Sequence, residues 1–203
     1  MATSPQSPPR QTGESYHDLL REGMDAARQG RHASAVDEFN RYLKSCMSCQ
    51  DQAGAGRAYR NLGVCYLELH QPKRALEFLE KGLSLARELG DKKAECKCVQ
   101  SMGVAYRALG QEGNAARLIE QGQLMARQLG LRKAEGVATE NLAVLKSDVG
   151  QFKAAVELHE RAISIAQATG DDLGLAIAQD NLDHTADQWQ KYKRAKGAAA
   201  QGL

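Results

Sequence analysis

The chain has 203 residues, 42% of them apolar, with one Trp and three Phe, and its 27 basic side chains nearly balance 25 acidic ones. A formal charge of +2 gives no field strong enough to make nucleic acid or an anionic membrane surface the main partner. No run approaches the roughly 18 apolar residues that span a bilayer, and five cysteines, an odd number without a regular framework, suit a reducing compartment; the expectation is a cytoplasmic protein.

Residues 1–13, MATSPQSPPRQTG, are poor in apolar side chains and are expected to be a disordered leader, with Ser4 and Ser7 before prolines as candidate phosphorylation sites. Beyond them an internal repeat sets the organisation. The segments RNLGVCYLELHQPKRA (60–75), QSMGVAYRALGQEGNA (100–115) and ENLAVLKSDVGQFKAA (140–155) align without a gap at a spacing of 40 residues. The same ruler places REGMDAARQGRHASA (21–35) one unit earlier and DNLDHTADQWQKYKRA (180–195) one unit later.

Matches fall where helix packing demands them. Ala35, Ala75, Ala115, Ala155 and Ala195 form one row; Gly23, Gly63, Gly103 and then Ala143 form another. Gly30, Gly110 and Gly150 mark a turn that His70 fills in the second unit, and Gly90, Gly130 and Gly170 mark a second turn, with Asp91 and Asp171 behind it as N-caps. Tyr59, Leu62, Tyr66 and Leu69 recur at helical spacing, as do Ala75, Leu76, Leu79 and Leu83, and Pro72 opens the second helix of its unit. The prediction is an all-α domain over 14–192: helix pairs at about 16–50, 56–90, 96–130 and 136–170, a capping helix over 171–192, and a flexible tail over 193–203. Paired amphipathic helices bury both faces only by stacking on neighbours, so the architecture is an α-solenoid.

Small Gly or Ala after Leu62, Met102 and Leu142, Tyr66 and Tyr106 three residues on, and the Ala row resemble the tetratricopeptide repeat (TPR). The 40-residue period resembles the longer-helix subgroup of the Pins/LGN type. The resemblance implies a right-handed superhelix whose first helices line a concave groove. Those relatives continue into G-protein-binding motifs, and none is visible here.

Cys46 and Cys49 have the spacing of half a zinc site, but Cys96 and Cys98 make an unusual second half, and no βαβ pattern supports a redox motif. The five histidines occupy five different repeat positions and are expected to meet no nucleophile. The expectation is no catalytic residue, no metal and no cofactor.

The groove stripe, stepped by 40, reads Arg57, Asn61, Val64; Lys97, Ser101, Val104; Val137, Asn141, Val144, Asp148; and Ile177, Asn181, His184, with His17, Arg21, Met24 and Arg28 earlier. Asn61, Asn141 and Asn181, with Ser101 between, resemble the asparagine ladder by which TPR proteins hold a peptide backbone, since an amide offers donor and acceptor together. Arg21, Arg28, Arg57, Arg60, Lys97 and Arg107 against Glu68 make one end basic, whereas Glu140, Asp148, Asp180 and Asp187 make the other acidic. The clamp by which TPR proteins hold acidic chaperone tails is incomplete: Asn61 and Lys97 match, and Leu20, Met24 and Ser101 do not. The expected function is a non-enzymatic adaptor binding a protein segment in this groove. The alternative is a structural subunit of a cytoskeletal or ciliary assembly, with Trp189 and Tyr192 as end contacts.

Overall fold

The computed structural model describes residues 16–200, so the leader and its Ser-Pro pairs lie outside the described residues. Among the described residues nine helices follow in order: α1 Tyr16–Arg28, α2 His32–Ser48, α3 Gln52–Glu68, α4 Pro72–Glu88, α5 Lys92–Ala108, α6 Glu112–Gln128, α7 Arg132–Asp148, α8 Phe152–Thr169 and α9 Asp172–Ala200. Each packs on the next, and the odd-numbered helices also touch one another from α3 to α9. This is a stack of four helix pairs ending in a fifth first helix.

Helices α3, α5 and α7 start four residues before the unit boundaries read from the repeat, the first two behind an Asp N-cap and α7 behind Leu131, whose side chain makes no cap hydrogen bond. The cause is local. Asp51 accepts from Gly54 N at 2.8 Å, Asp91 from Ala94 N at 2.9 Å and Asp171 from Gly174 N at 3.3 Å, so each carboxylate satisfies an orphan donor of the opening turn. Turns close with a left-handed residue, which is Gly30, Gly90, Gly110, Gly130, Gly150 or Gly170 at six places and Gln50 (φ 59°) or His70 (φ 56°) at two.

Helix α9 runs to Ala200, eight residues beyond the expected end of the cap at 192. Lys193, Arg194 and Ala195 are strong helix formers, Asp187 and Lys191 pair at 2.6 Å one turn apart, and Lys193 lies 3.8 Å over the Trp189 ring. These continue the helix where a tail was expected.

The core rows are as the repeat placed them in the first four units, where Ala35, Ala75, Ala115 and Ala155 are fully buried, as are Leu62, Leu79 and Ile119; Ala195, expected to continue the alanine row, is exposed, because among the described residues α9 has no second helix to pack it. Cys65 is 2% exposed, and burial pushes its thiol up to about 11, which leaves it an inert filler. Between units two buried carboxylates act as clasps. Glu95 takes Arg87 at 3.0 Å and Lys92 at 2.8 Å; one unit on, Glu135 takes Arg127 at 3.1 Å and Arg132 at 2.7 Å. Hydrogen bonds from Lys92 and Arg87 hold the Glu95 carboxyl below its usual value. Its contribution is therefore present above the unfolded-state value and lost as pH falls through the folded one. Urea midpoints from pH 6 down should fall more steeply for wild type than for Glu95→Gln.

Candidate functional site

The stripe expected to line the groove is on the open face of the first helices. Arg57, Lys97, Val137 and Ile177 are exposed, and Asn61, Ser101 and Asn141 are half-buried in the next row. Met24 and Val64 are exposed and Val104 and Val144 half-buried, so the apolar floor is accessible along its length. Because α3, α5 and α7 touch successively, these rows form one continuous surface. Asn61 Oδ1 accepts from Arg60 Nη2 at 2.8 Å; the side chains of Ser101 and Asn141 have no hydrogen bond among the described residues.

Several assignments change. Glu140 is not a groove charge: it is 8% exposed, its Oε2 lies 2.9 Å from His159 Nδ1, and its Oε1 accepts from Asn181 Nδ2 at 2.8 Å. Asn181 is thereby occupied within the fold and leaves the ladder. Asp148 pairs with Arg107 at 3.0 Å across adjacent units, so charges expected to attract opposite ends of a partner neutralise each other. His184 is exposed and held by Gln188 at 2.8 Å. The groove therefore keeps a basic end, but its acidic end is largely consumed.

Of the histidines expected to meet no nucleophile, one does stand beside a hydroxyl. His159 Nε2 lies 3.1 Å from Thr185 Oγ1, which donates to Ser147 Oγ at 3.1 Å, and Ser147 in turn reaches Gln188 Oε1 at 3.4 Å. Carboxylate, imidazole and hydroxyl stand in the order of a nucleophilic triad. With His159 0% and Thr185 2% exposed, the hydroxyl is sealed from any substrate, and the network's work is to bind α7, α8 and α9 together. A signal existed in the sequence: stepping by 40, His159 falls in the register of Phe39, Leu79 and Ile119, a core row.

Among the described residues no group of three His, Cys, Asp or Glu is placed to hold a metal. The cysteines are free: Cys46, Cys65, Cys96 and Cys98 are buried, and Cys49 is exposed. Trp189 is half-buried and Tyr192 half-exposed against Phe152, at 5.6 Å between ring centroids.

Two open clefts sit at the same place in the repeat, two units apart. One lies between α3, α4 and α5, walled by Arg57 and Arg60 over Gly56, Gly82 and Ala86. The other lies between α7, α8 and α9, walled by Val137 and Ile177 over Gly136, Ala162 and Ala166. In the unit between, the Gln100 amide donates to Gly122 O at 3.3 Å and Ala134 O at 3.0 Å, covering Gly122. In the first unit the buried Tyr42 ring occupies this register.

Helix pairs of uniform length, buried alanine rows and an open first-helix face define a helical-repeat scaffold of the protein-interaction class. The chain belongs to the tetratricopeptide-repeat family: models of that repeat match residues 14–88 and 137–169, together more than half of its length. No curated protein matches it by sequence. Among solved structures it is similar to a Rap protein complexed with competence and sporulation factor (17% identity, TM-score 0.81), covering 92% of this chain and 52% of that one. It is also similar to aspartyl phosphate phosphatase F from Bacillus subtilis (16%, TM-score 0.72; 92% and 49%). A third likeness is a kinesin light chain with nearly identical TPR-like repeats from Podosopora anserina (18%, TM-score 0.63; 91% and 92%). The chain spans about half the length of the first two. No helix among the described residues is long and apolar enough to cross a membrane.

Proposed function

We propose that the protein is a non-enzymatic adaptor whose first-helix groove holds an extended segment of a protein partner. The observation that supports this most is the uninterrupted surface of Asn61, Ser101 and Asn141 beside Val64, Val104 and Val144. Side-chain hydrogen-bonding groups next to an accessible apolar floor suit a backbone with one donor and one acceptor per residue and a side chain on every second position. The charges of Arg57, Arg60 and Lys97 suit a partner whose acidic part lies toward α3 and α5.

Capture from native lysate tests this. Wild-type bait should recover a partner that Asn61→Ala/Asn141→Ala does not, and Arg57→Glu/Arg60→Glu/Lys97→Glu should abolish recovery. Unchanged affinity of the charge-reversed protein at low salt would overturn the electrostatic part. Asn181 is left out of the substitutions because its amide holds Glu140.

A second reading, a structural subunit contacting neighbours through its end, rests on α9. Leu182 is half-exposed where its equivalents Leu62, Met102 and Leu142 are buried, because among the described residues no second helix covers it. A structural subunit would still assemble with both asparagines replaced.

A further inference from the structure

The row Arg60, Gln100 and Glu140 shows what is unusual about the first cleft. All three hold the same register and lie across a small residue of the following helix: Gly82, Gly122 and Ala162. The Gln100 amide is satisfied by two carbonyls, and the Glu140 carboxylate by His159 and Asn181. Arg60 is half-buried, and its polar head finds only Asn61 Oδ1. Among the described residues no carboxylate lies within 4.0 Å of it, and Arg57 approaches only Asp51, at the limit of 4.0 Å. Burial and the like charge of Arg57 both weigh against the protonated Arg60 guanidinium. A guanidinium taken partly out of water without a counter-charge is complementary to an anion, which it takes in fork geometry.

The second cleft has the opposite chemistry in the same frame. Where the first has Arg57, the second has Val137, 47% exposed; where the first unit presents Lys97, the later one presents Ile177, 46% exposed. Of its charged members, Glu140 is already paired inward and Lys133 is exposed at the edge. Asp91 and Asp171 rim the two clefts equally, each with one oxygen on a helix N-terminus, so they do not distinguish them.

Resting on the groove reading above, we infer that the two clefts are a matched pair of sockets for a single extended peptide: a carboxylate side chain enters at Arg57 and Arg60, and an aliphatic side chain at Val137 and Ile177. Neighbouring first helices pack about 8–10 Å apart, so two steps span roughly 16–20 Å. An extended strand at ~3.3 Å per residue covers that in about five or six residues. Because successive side chains of a strand point to opposite faces, only an even separation lets both enter, so the partner motif is Asp or Glu and, about six residues away, Leu, Ile or Val, with the covered Gln100 unit passing beneath the intervening backbone.

The test is a synthetic array of twelve-residue Ala/Ser/Thr peptides carrying one Glu and one Leu at separations from two to nine, in both orders, probed with the full chain. Binding should peak at the stated separation, in one order. Arg60→Gln should lower affinity for the best peptide about tenfold and remove the preference for Glu over Gln while keeping that for Leu; Ile177→Asp should do the reverse. Circular dichroism melts and Arg60→Lys, which keeps the charge, separate recognition from folding. Peptides that bind without regard to separation, or an array with no binder, would overturn the paired sockets. Phosphoserine clearly preferred to Glu would overturn the carboxylate assignment. Binding lost in Asn61→Ala/Asn141→Ala but indifferent to Arg60→Gln and Ile177→Asp would sink the sockets and leave the groove standing. Binding that survives every one of these substitutions would remove the groove reading itself.

Discussion

Replacing His159 with Leu is expected to destabilise the protein by about 3 kcal/mol or more, although the two side chains are similar in volume. The imidazole is fully buried and contacts Glu140 Oε2 at 2.9 Å and Thr185 Oγ1 at 3.1 Å. Its loss leaves a buried carboxylate with only the Asn181 amide and removes one partner from a buried hydroxyl. Each such deficit costs about 1–3 kcal/mol, more where the group is charged. Urea unfolding followed by circular dichroism reads the loss. Hydrogen exchange should place it in α9, which packs mainly on α8 and α7. Adding Glu140→Met should return much of the stability, because removing both members of a buried pair costs far less than removing one. A His159→Leu protein as stable as wild type would show that the network is incidental to the docking of α9.

Gly63→Leu is the second large effect expected, with a cost of ~1–3 kcal/mol or more from overpacking. A Cβ at Gly63 would stand 2.5 Å from Leu79 Cγ and 3.2 Å from the Ala75 carbonyl oxygen, so even the first carbon has no room and the rest must force α3 and α4 apart. The neighbouring Cys65→Ala removes one sulfur from a small buried position and should change the urea midpoint little. A contrast between two residues of one turn tests whether helix approach, rather than local hydrophobicity, limits stability there. Equal losses for the two would contradict it.

The repeat was legible because packing imposes it. Ala75, Ala115 and Ala155 meet the same neighbour in every unit, so one 40-residue ruler recovers the helices, the turns and the core rows together. The N-caps were legible for a related reason: Asp91 and Asp171 stand directly after left-handed glycines, where an orphan donor needs an acceptor. The groove surface followed from the ruler and from helical geometry.

What the sequence concealed lies where the ruler meets a different residue in each unit. Arg60, Gln100 and Glu140 share a register and share no chemistry, so no periodicity reveals that the second is capped by backbone carbonyls and the third turned inward. The partners of Glu140 lie 19 and 41 residues away, one of them on a helix of another unit. The small residues Gly82, Gly122 and Ala162 carried a clue, since a row without side chains on one helix means that something large crosses it from the next. The length of α9 was hidden for another reason: the run from Lys191 to Lys196 looks like a frayed basic end until Asp187, Trp189 and Tyr192 supply partners one turn back.

The clasps between units have a genetic meaning. Arg87 with Glu95 and Arg127 with Glu135 are the same joint made twice, at places 40 residues apart. An in-frame loss of residues 92–131 joins Asp91 to Arg132 and presents Arg87 to Glu135 as Arg127 was before, so the splice rebuilds a joint of a kind already present. Gain of such a block is equally conservative. A lineage can thus lengthen or shorten this rod by whole segments without redesigning an interface, and each event would move the cationic and aliphatic clefts apart or together by one fixed step. The spacing of the motif that such a protein reads is then heritable as a copy number rather than as a set of point mutations.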